Sequence, residues 1–488
     1  MDNQTMVNEM IAKGRKALAE LESYSQEQID ELCRICCEAF AAHAEELARE
    51  AVEETGLGNV PDKIMKNTGS PDGVWYAIKG KKSVGVIGHD ERRHLTFVAH
   101  PKGIISCVIP TTNPNITILF NGVYALKGRN VILCAPHPRA KRSTVHTCQI
   151  FNEALKKAGA PDNIFQYVEE PNIELTQMMM AASDTVLGTG GPNMVKAAYS
   201  SGKPAYGVGP GNSQTIFDPA YNNLPMAVGQ TVFGCKFDNG IICACNRSFI
   251  TPRSISAKVV ELMKAEKVYY TDDPTVRDRA RELLFPNGLG PINGKPVGQD
   301  VQKIAEMLGL DIPEDTSIIV VKVEKYGTDE PLCREKMVPL AVHIECGDVE
   351  EAIRIAKANL MMEGAGHSSV IHTNDNALVE RAACELPVSR MLVNCPGVFS
   401  ANPALANGLC PTATLGCGSW AGCSVSQNLG FEELINVSRI AYVYPENEVP
   451  TMTPSGMETQ HFKVHNFQAD VRQHGGGDYA APCVFLKS

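Results

Sequence analysis

Behind the tetrad Ser25-Gln26-Glu27-Gln28, apolar side chains return at Ile29, Leu32, Cys36 and Phe40, the spacing of one face of an α-helix. The tetrad has the form of a capping box. A helix is therefore predicted to start there and run through Phe40 towards Arg49, and the first sixty residues read as helical. The pattern then shifts to strands. Val84-Gly85-Val86-Ile87 and Leu95-Thr96-Phe97-Val98 flank the polar turn His89-Asp90-Glu91-Arg92-Arg93, which predicts a hairpin arm over 84–98. Such an arm has no core of its own and suits packing on a neighbouring subunit. From Gly103 onward, apolar runs at Ile104–Ile109, Val131–Cys134, Ile164–Val168 and Thr185–Leu187 alternate with helix-like stretches such as Ser143–Lys157. Runs of this kind belong to strands covered on both faces, and their alternation with helices predicts a doubly wound parallel sheet.

A second α/β pattern follows. Helix-like Ser254–Glu266, Val301–Leu308 and Val349–Leu360 are interspersed with strand-like Ser317–Val323, Ala341–Ile344 and Met391–Val393. We place the boundary at Phe237, giving a first domain over 1–237, a second over 238–425 and a return segment over 426–444 that ends in strand-like Ile440–Tyr444. Residues 445–488 are polar and aperiodic, and read either as a surface-crawling tail or as an interaction peptide.

Composition narrows the class. At 488 residues the chain exceeds what one hydrophobic core usually serves, in keeping with two domains. A formal charge of -10 argues against a nucleic-acid or anionic-membrane partner, and no apolar run is long enough to span a bilayer. The 17 cysteines are too dispersed for a disulfide scaffold, so a reduced, cytoplasmic protein is expected. Cys33, Cys36 and Cys37 imitate a metal motif but follow helical spacing, and no second group completes a zinc site. No metal is expected.

Two local features carry chemistry. The loop Gly188-Thr189-Gly190-Gly191-Pro192-Asn193 follows a strand and precedes a helix, where backbone N–H groups could face a pyrophosphate. The run Phe237-Asp238-Asn239-Gly240-Ile241-Ile242-Cys243 sets one thiol just after a Gly-containing turn. Such a cysteine is either core filler or a presented nucleophile.

Taken together, eight motifs resemble the CoA-acylating branch of the aldehyde dehydrogenase superfamily, in order from about Ser25 to about Tyr444. They are Pro110-Thr111-Thr112-Asn113-Pro114, Ala135-Pro136-His137-Pro138-Arg139-Ala140-Lys141, Gly188 to Gly191, Gly207-Val208-Gly209-Pro210-Gly211-Asn212, Phe237 to Cys243, Glu335-Lys336, Glu363-Gly364-Ala365-Gly366-His367, and Thr414-Leu415-Gly416-Cys417-Gly418-Ser419-Trp420. The resemblance implies an α/β fold of two doubly wound domains, a Rossmann-like cofactor domain and a catalytic domain, with the hairpin as oligomerisation arm. It makes Cys243 the nucleophile and Asn113, with the Cys243 backbone N–H, the holder of the oxyanion. It assigns NAD(P) to a site formed by Thr111, Pro136, His137, Arg139, Lys141, Thr189, Gly190, Gly191, Gly209 and Glu335. NAD versus NADP stays open, because the cluster Arg139, Lys141 and Arg142 reads equally as a 2′-phosphate site or a solvated helix start. Coenzyme A is the implied acyl acceptor, and a homodimer or larger assembly the implied state. The tail leaves open an address to a bacterial microcompartment.

Two departures refine the resemblance. Hydrolytic relatives have Glu-Leu-Gly-Gly-Lys where this chain has Gly207 to Gly211, so the water-activating carboxylate is missing and transfer to CoA is favoured. His367 is then either a base for Cys243 or CoA, or a loop residue bound to backbone. After the cysteine, Ala244-Cys245-Asn246-Arg247-Ser248 replaces Ala-Ser-Glu-Gln-Ser, which puts a guanidinium four positions from the nucleophile. Arg247 and Asn246, with Ser419 and Trp420, are thus expected around an anionic aldehyde, sulfoacetaldehyde ahead of succinate semialdehyde, with acetaldehyde the uncharged alternative. A nucleotide-binding scaffold without activity is the rival reading.

Overall fold

The computed structural model describes residues 2–402 and 407–444. Helices Asn3–Leu21, Gln26–Ala42, Ala44–Thr55 and Val60–Ile78 form the N-terminal layer. The capping box is present: Ser25 Oγ accepts from the Gln28 N–H, and Gln28 Oε1 accepts from the Ser25 N–H. Cys33, Cys36 and Cys37 are free thiols buried in the core of this layer.

Strands β1 (Gly85–Asp90) and β2 (Leu95–Pro101) make the antiparallel hairpin. β3 (Ile104–Ile109), β4 (Val131–Pro136), β5 (Phe165–Tyr167), β6 (Thr185–Thr189) and β7 (Ala205–Val208) then form a parallel sheet in the order β5-β4-β3-β6-β7. β3 and β4 are buried along their whole length between helical layers, which is why both read as apolar runs, broken only by Ser106.

β8 (Gln214–Phe217), β9 (Ser248–Pro252), β10 (Tyr269–Thr271), β11 (Ile319–Val323), β12 (Leu340–Cys346), β13 (Gly366–His372) and β14 (Val388–Val393) build a second parallel sheet, in the order β10-β11-β12-β9-β8-β13-β14. β15 (Ile435–Ala441) returns to pair antiparallel with β2, completing a three-stranded arm. Among the described residues no helix is long and apolar enough to cross a membrane.

The architecture moves both expected boundaries. β8 already belongs to the second sheet, so the chain changes domains just after β7 rather than at Phe237, and helix Leu224–Lys236 lies with the second domain. Cys410 and Ala413 pack against the first domain's core and Leu429, Phe431 and Leu434 sit in it, while Leu415 packs on the second domain and Arg390 of β14 donates to the Gly416 and Ser426 carbonyls, so the chain returns through a stretch over 410–428 that touches both domains instead of at one boundary at 425. The second domain's insertion between β7 and this return places the nucleophile's loop against the carboxyl ends of the first sheet. The tail over 445–488 lies outside the described residues.

Candidate active site

In the order β5-β4-β3-β6-β7 the connections reverse direction between β3 and β6, so their carboxyl ends leave a crevice there. The loops leaving these two strands are Pro110–Asn113 and Thr189–Gly191, two of the motifs singled out above. Gly190 and Gly191 lead into helix Pro192–Tyr199, whose N-terminus faces the same crevice. The crevice continues into a cavity of about 780 Å3 that runs to the second domain.

Cys243 enters this cavity on a turn built from three successive left-handed residues, Asp238 (φ 50), Asn239 (φ 54) and Gly240 (φ 72). Only glycine fits at 240, where a Cβ would stand 2.5 Å from the Val338 carbonyl oxygen. The other two are an Asp and an Asn, the non-glycine residues most tolerant of this backbone. Asp238 is fully buried and anchors the turn, its Oδ2 accepting from Lys63 Nζ at 3.0 Å and Lys66 Nζ at 2.7 Å. Burial alone would raise the Asp238 carboxyl, but the two ammonium groups outweigh it and hold it below its usual range. Beyond the turn, Gly211 presses on the nucleophile's backbone so closely that a Cβ there would lie 1.8 Å from the Cys243 carbonyl oxygen.

Asn113 precedes helix Pro114–Lys127, but its carboxamide does not cap that helix. The Oδ1 accepts from Lys66 Nζ and the Nδ2 donates one long bond, 3.4 Å, to Thr112 Oγ1, which leaves its second N–H for the cavity that Asn113 and Cys243 share. Glu335 lines the same cavity, near enough for its charge to act on the thiol. Burial raises its carboxyl to about 8, against the pull of Arg247. Burial likewise pushes the Cys243 thiol up to about 12; Glu335 adds to this, while Arg390 and Arg247 pull the other way. The resting thiol is thus protonated at neutral pH, and reaction requires a proton acceptor.

Thr111, Asn113, His137, Thr189, Gly190, Gly191, Gly209, Cys243 and Glu335 therefore share one cavity. The other expected residues lie elsewhere. Pro136 ends β4 behind His137, Arg139 is exposed, and Lys141 is held by Glu170 at 2.7 Å. Arg247 is fully buried beneath the nucleophile's loop, donating through Nη1 to the Gly240 carbonyl at 2.8 Å and through Nη2 to the Ile242 carbonyl at 3.0 Å. It braces the loop instead of clamping a substrate anion. Asn246 is buried as well, donating to Thr215 Oγ1 and accepting from the Gly397 N–H. Ser419 and Trp420 sit on an exposed turn outside the cavity lining. His367 is buried on β13 with Nδ1 2.9 Å from Ser368 Oγ. Burial, with Arg390 and Arg247 nearby, keeps its imidazole well below its ordinary pKa, so it is neutral.

Position 207, where hydrolytic relatives place their carboxylate, is sterically closed. A Cβ on Gly207 would meet the Tyr199 ring at 2.8 Å and Val195 at 2.9 Å. The Tyr199 hydroxyl accepts there from the backbone N–H of Gly207 and of Ser424. Sequence reasoning missed Lys63, Lys66, Asp238 and Arg390. The two lysines stand one helical turn apart, a spacing that could have marked them as acting together.

Comparison with known proteins agrees with this geometry. The aldehyde dehydrogenase family profile matches residues 1–280. A succinate-semialdehyde dehydrogenase (acetylating) of Clostridium kluyveri is 44% identical over 451 residues, covering 92% of this chain and 99% of the relative. A sulfoacetaldehyde dehydrogenase of an Acholeplasma species is 35% identical over 442 residues, 89% of this chain and 90% of its own. The crystal structure of an acetylating aldehyde dehydrogenase from Geobacillus thermoglucosidasius superposes with a TM-score of 0.87 at 35% identity, covering 91% of this chain and 98% of that one. The chain belongs to the aldehyde dehydrogenase family, in its acylating branch, and is an oxidoreductase acting on aldehydes.

Proposed function

We propose that the protein oxidises a short aldehyde to a thioester on Cys243 and passes the acyl group to coenzyme A. The observation that carries this reading is the pairing of a cavity-facing cysteine with a closed position 207, where Tyr199 and Val195 fill the space a water-activating carboxylate would need. Cys243 Sγ adds to the carbonyl carbon as its proton leaves to a base, and the new oxyanion is held by Asn113 Nδ2–H and the Cys243 N–H.

The crevice between β3 and β6 fits a dinucleotide. Its Gly-rich turn opens a helix, His137 lies at the end of the neighbouring strand, and Glu335 lies beside the thiol in position to bind a ribose hydroxyl. A nicotinamide bound there supplies the hydride acceptor. The thioester left on Cys243 is then attacked by the CoA thiol, which releases acyl-CoA and restores the cysteine.

The aldehyde we favour is short and uncharged. Ile116, Phe120, Ile242 and Phe399 give the cavity an apolar wall, and its lining cations Lys66 and Arg334 are held by Asp238 and Glu363. The 44% identity to a succinate-semialdehyde enzyme supports a second reading, a four-carbon semialdehyde. The outer sheet, with exposed Val86, Ile440 and Tyr442, is where we place contact with a second copy.

The test is NAD(P)H formation with acetaldehyde, sulfoacetaldehyde and succinate semialdehyde, each with and without CoA and with both cofactors. Turnover strictly dependent on CoA and fastest with acetaldehyde is expected. Equal turnover without CoA overturns the acylating step, and a preference for either anionic substrate overturns the uncharged one.

A further inference from the structure

Resting on that reading of Cys243 and Asn113, we propose that Lys66, held by Asp238, is a positioning residue that aims the Asn113 amide at the oxyanion. A carboxamide has two nearly isosteric ends, and an oxyanion is stabilised only by the NH2 end. Its orientation therefore has to be imposed by a partner that recognises one end alone. An ammonium has three donors and no acceptor, so it binds only the oxygen end. Lys66 Nζ meets that requirement, donating to Asn113 Oδ1 at 2.5 Å and to Asp238 Oδ2 at 2.7 Å from a side chain only 8% exposed.

The neighbouring lysine grips the adjacent backbone. Lys63 Nζ donates to the Thr112 carbonyl at 3.2 Å and to the same Asp238 Oδ2. Both lysines project from helix Val60–Ile78, whose first turn is tied to the nucleophile's loop from the other side. The Asp238 N–H donates to Asp62 Oδ2 at 2.7 Å, and the Asn59 N–H donates to Asp238 Oδ1 at 3.1 Å. Gly58 lies so close that a Cβ would stand 1.9 Å from Asp238 Oδ1. One carboxylate five residues before the thiol thus sets the helix that sets the amide, so nucleophile and oxyanion donor are located by a single anchor. Beyond orientation, the ammonium polarises the amide and makes its N–H a stronger donor as charge builds on the substrate oxygen.

The test compares Lys66→Met, Asn113→Ala and the double variant in steady-state turnover and in alkylation of Cys243 by iodoacetamide. Alkylation displaces iodide and builds no oxyanion, so it reports the reactivity of the thiol apart from the donor that Asn113 supplies. Lys66→Met is expected to lower kcat by about 10- to 100-fold with KM little changed, below the roughly 10²–10³-fold of losing an oxyanion donor outright. It is also expected to leave the alkylation rate unaltered and to cost nothing further in the Asn113→Ala background. Lys66→Gln, which keeps a donor at that position but not the charge, serves if Lys66→Met does not fold. A smaller loss is expected there, again absent with Asn113→Ala. Wild-type kcat in Lys66→Met, an equal loss with and without Asn113, or a parallel fall in alkylation would each overturn the proposal. Cys243→Ala separates the two layers: if turnover survives in it, the nucleophile assignment fails whatever Lys66 does.

Discussion

A thiol lifted to about 12 makes a quantitative prediction for the free enzyme. At pH 8 such a group is thiolate in about one molecule in 10⁴, against about one in ten for a thiol at the ordinary value of 9.0. Alkylation of Cys243 by iodoacetamide at pH 8 should therefore be on the order of 10²- to 10³-fold slower than that of an unperturbed thiol, and should still be rising at pH 10. Glu335, titrating at about 8, adds a second signature. Below pH 8 it is mostly neutral. As it ionises, its charge opposes thiolate formation, so the rise should be less than tenfold per pH step from about pH 8 to about pH 9–10 and tenfold again above that. A unit charge at side-chain distance under an effective dielectric near 20 alters the thiolate fraction by about ten- to a hundredfold. Glu335→Gln should erase the inflection and react faster than wild type above pH 8 by that factor. Mass spectrometry of the Cys243 peptide reads the rate, and exposed Cys384 in the same sample provides a solvent-facing reference. A Cys243 rate that levels off by pH 8, or identical profiles for wild type and Glu335→Gln, would refute the reasoning.

Two further outcomes follow from the packing around the loop. Gly211→Ala drives a Cβ to 1.8 Å from the Cys243 carbonyl oxygen, so the nucleophile's backbone must move by roughly 1 Å; kcat measured with saturating aldehyde should fall about 10²-fold or more. Arg247→Met leaves the Gly240 and Ile242 carbonyls without their donors, and thermal or urea unfolding should report a loss of about 2–4 kcal/mol. The ratio of kcat/KM for sulfoacetaldehyde to that for acetaldehyde should stay unchanged, since a selective loss on the anion would restore Arg247 to the substrate.

What the amino-acid pattern revealed depended on how each element is buried. β3 and helix Val301–Leu308 match the expected spans residue for residue, because one is apolar but for the small, buried Ser106 and the other keeps a strict helical stripe. β8, β9 and β13 lie at the centre of the second sheet yet escaped notice. They hold polar residues whose bonds are made inside the protein: Ser248 Oγ donates to Gln214 Oε1, Ser369 Oγ to the Gln214 carbonyl, and Asn359 Nδ2 to Gln214 Oε1. A buried polar network carries no hydrophobic period. In the site, short loop motifs with their own chemistry were legible. Arg247 was misplaced because nearness in sequence does not give direction; the chain has already turned into β9 at the next residue, and the side chain folds back under the loop. Lys66 and Asp238 stand 172 positions apart, so no local pattern could join them.

The order in which the domains close bears on how the chain is made. The first sheet ends with β7, but its domain takes Leu429, Phe431 and Leu434 into the core and β15 beside β2. A ribosome must add roughly 230 further residues before that domain has all its parts. At about 5–20 residues per second this leaves the first domain without its last strand for roughly 10–50 seconds after β7 is made. During that interval the second domain emerges whole. It is expected to complete its fold first, with the earlier-born first domain held open as a client for chaperones until the final strand arrives.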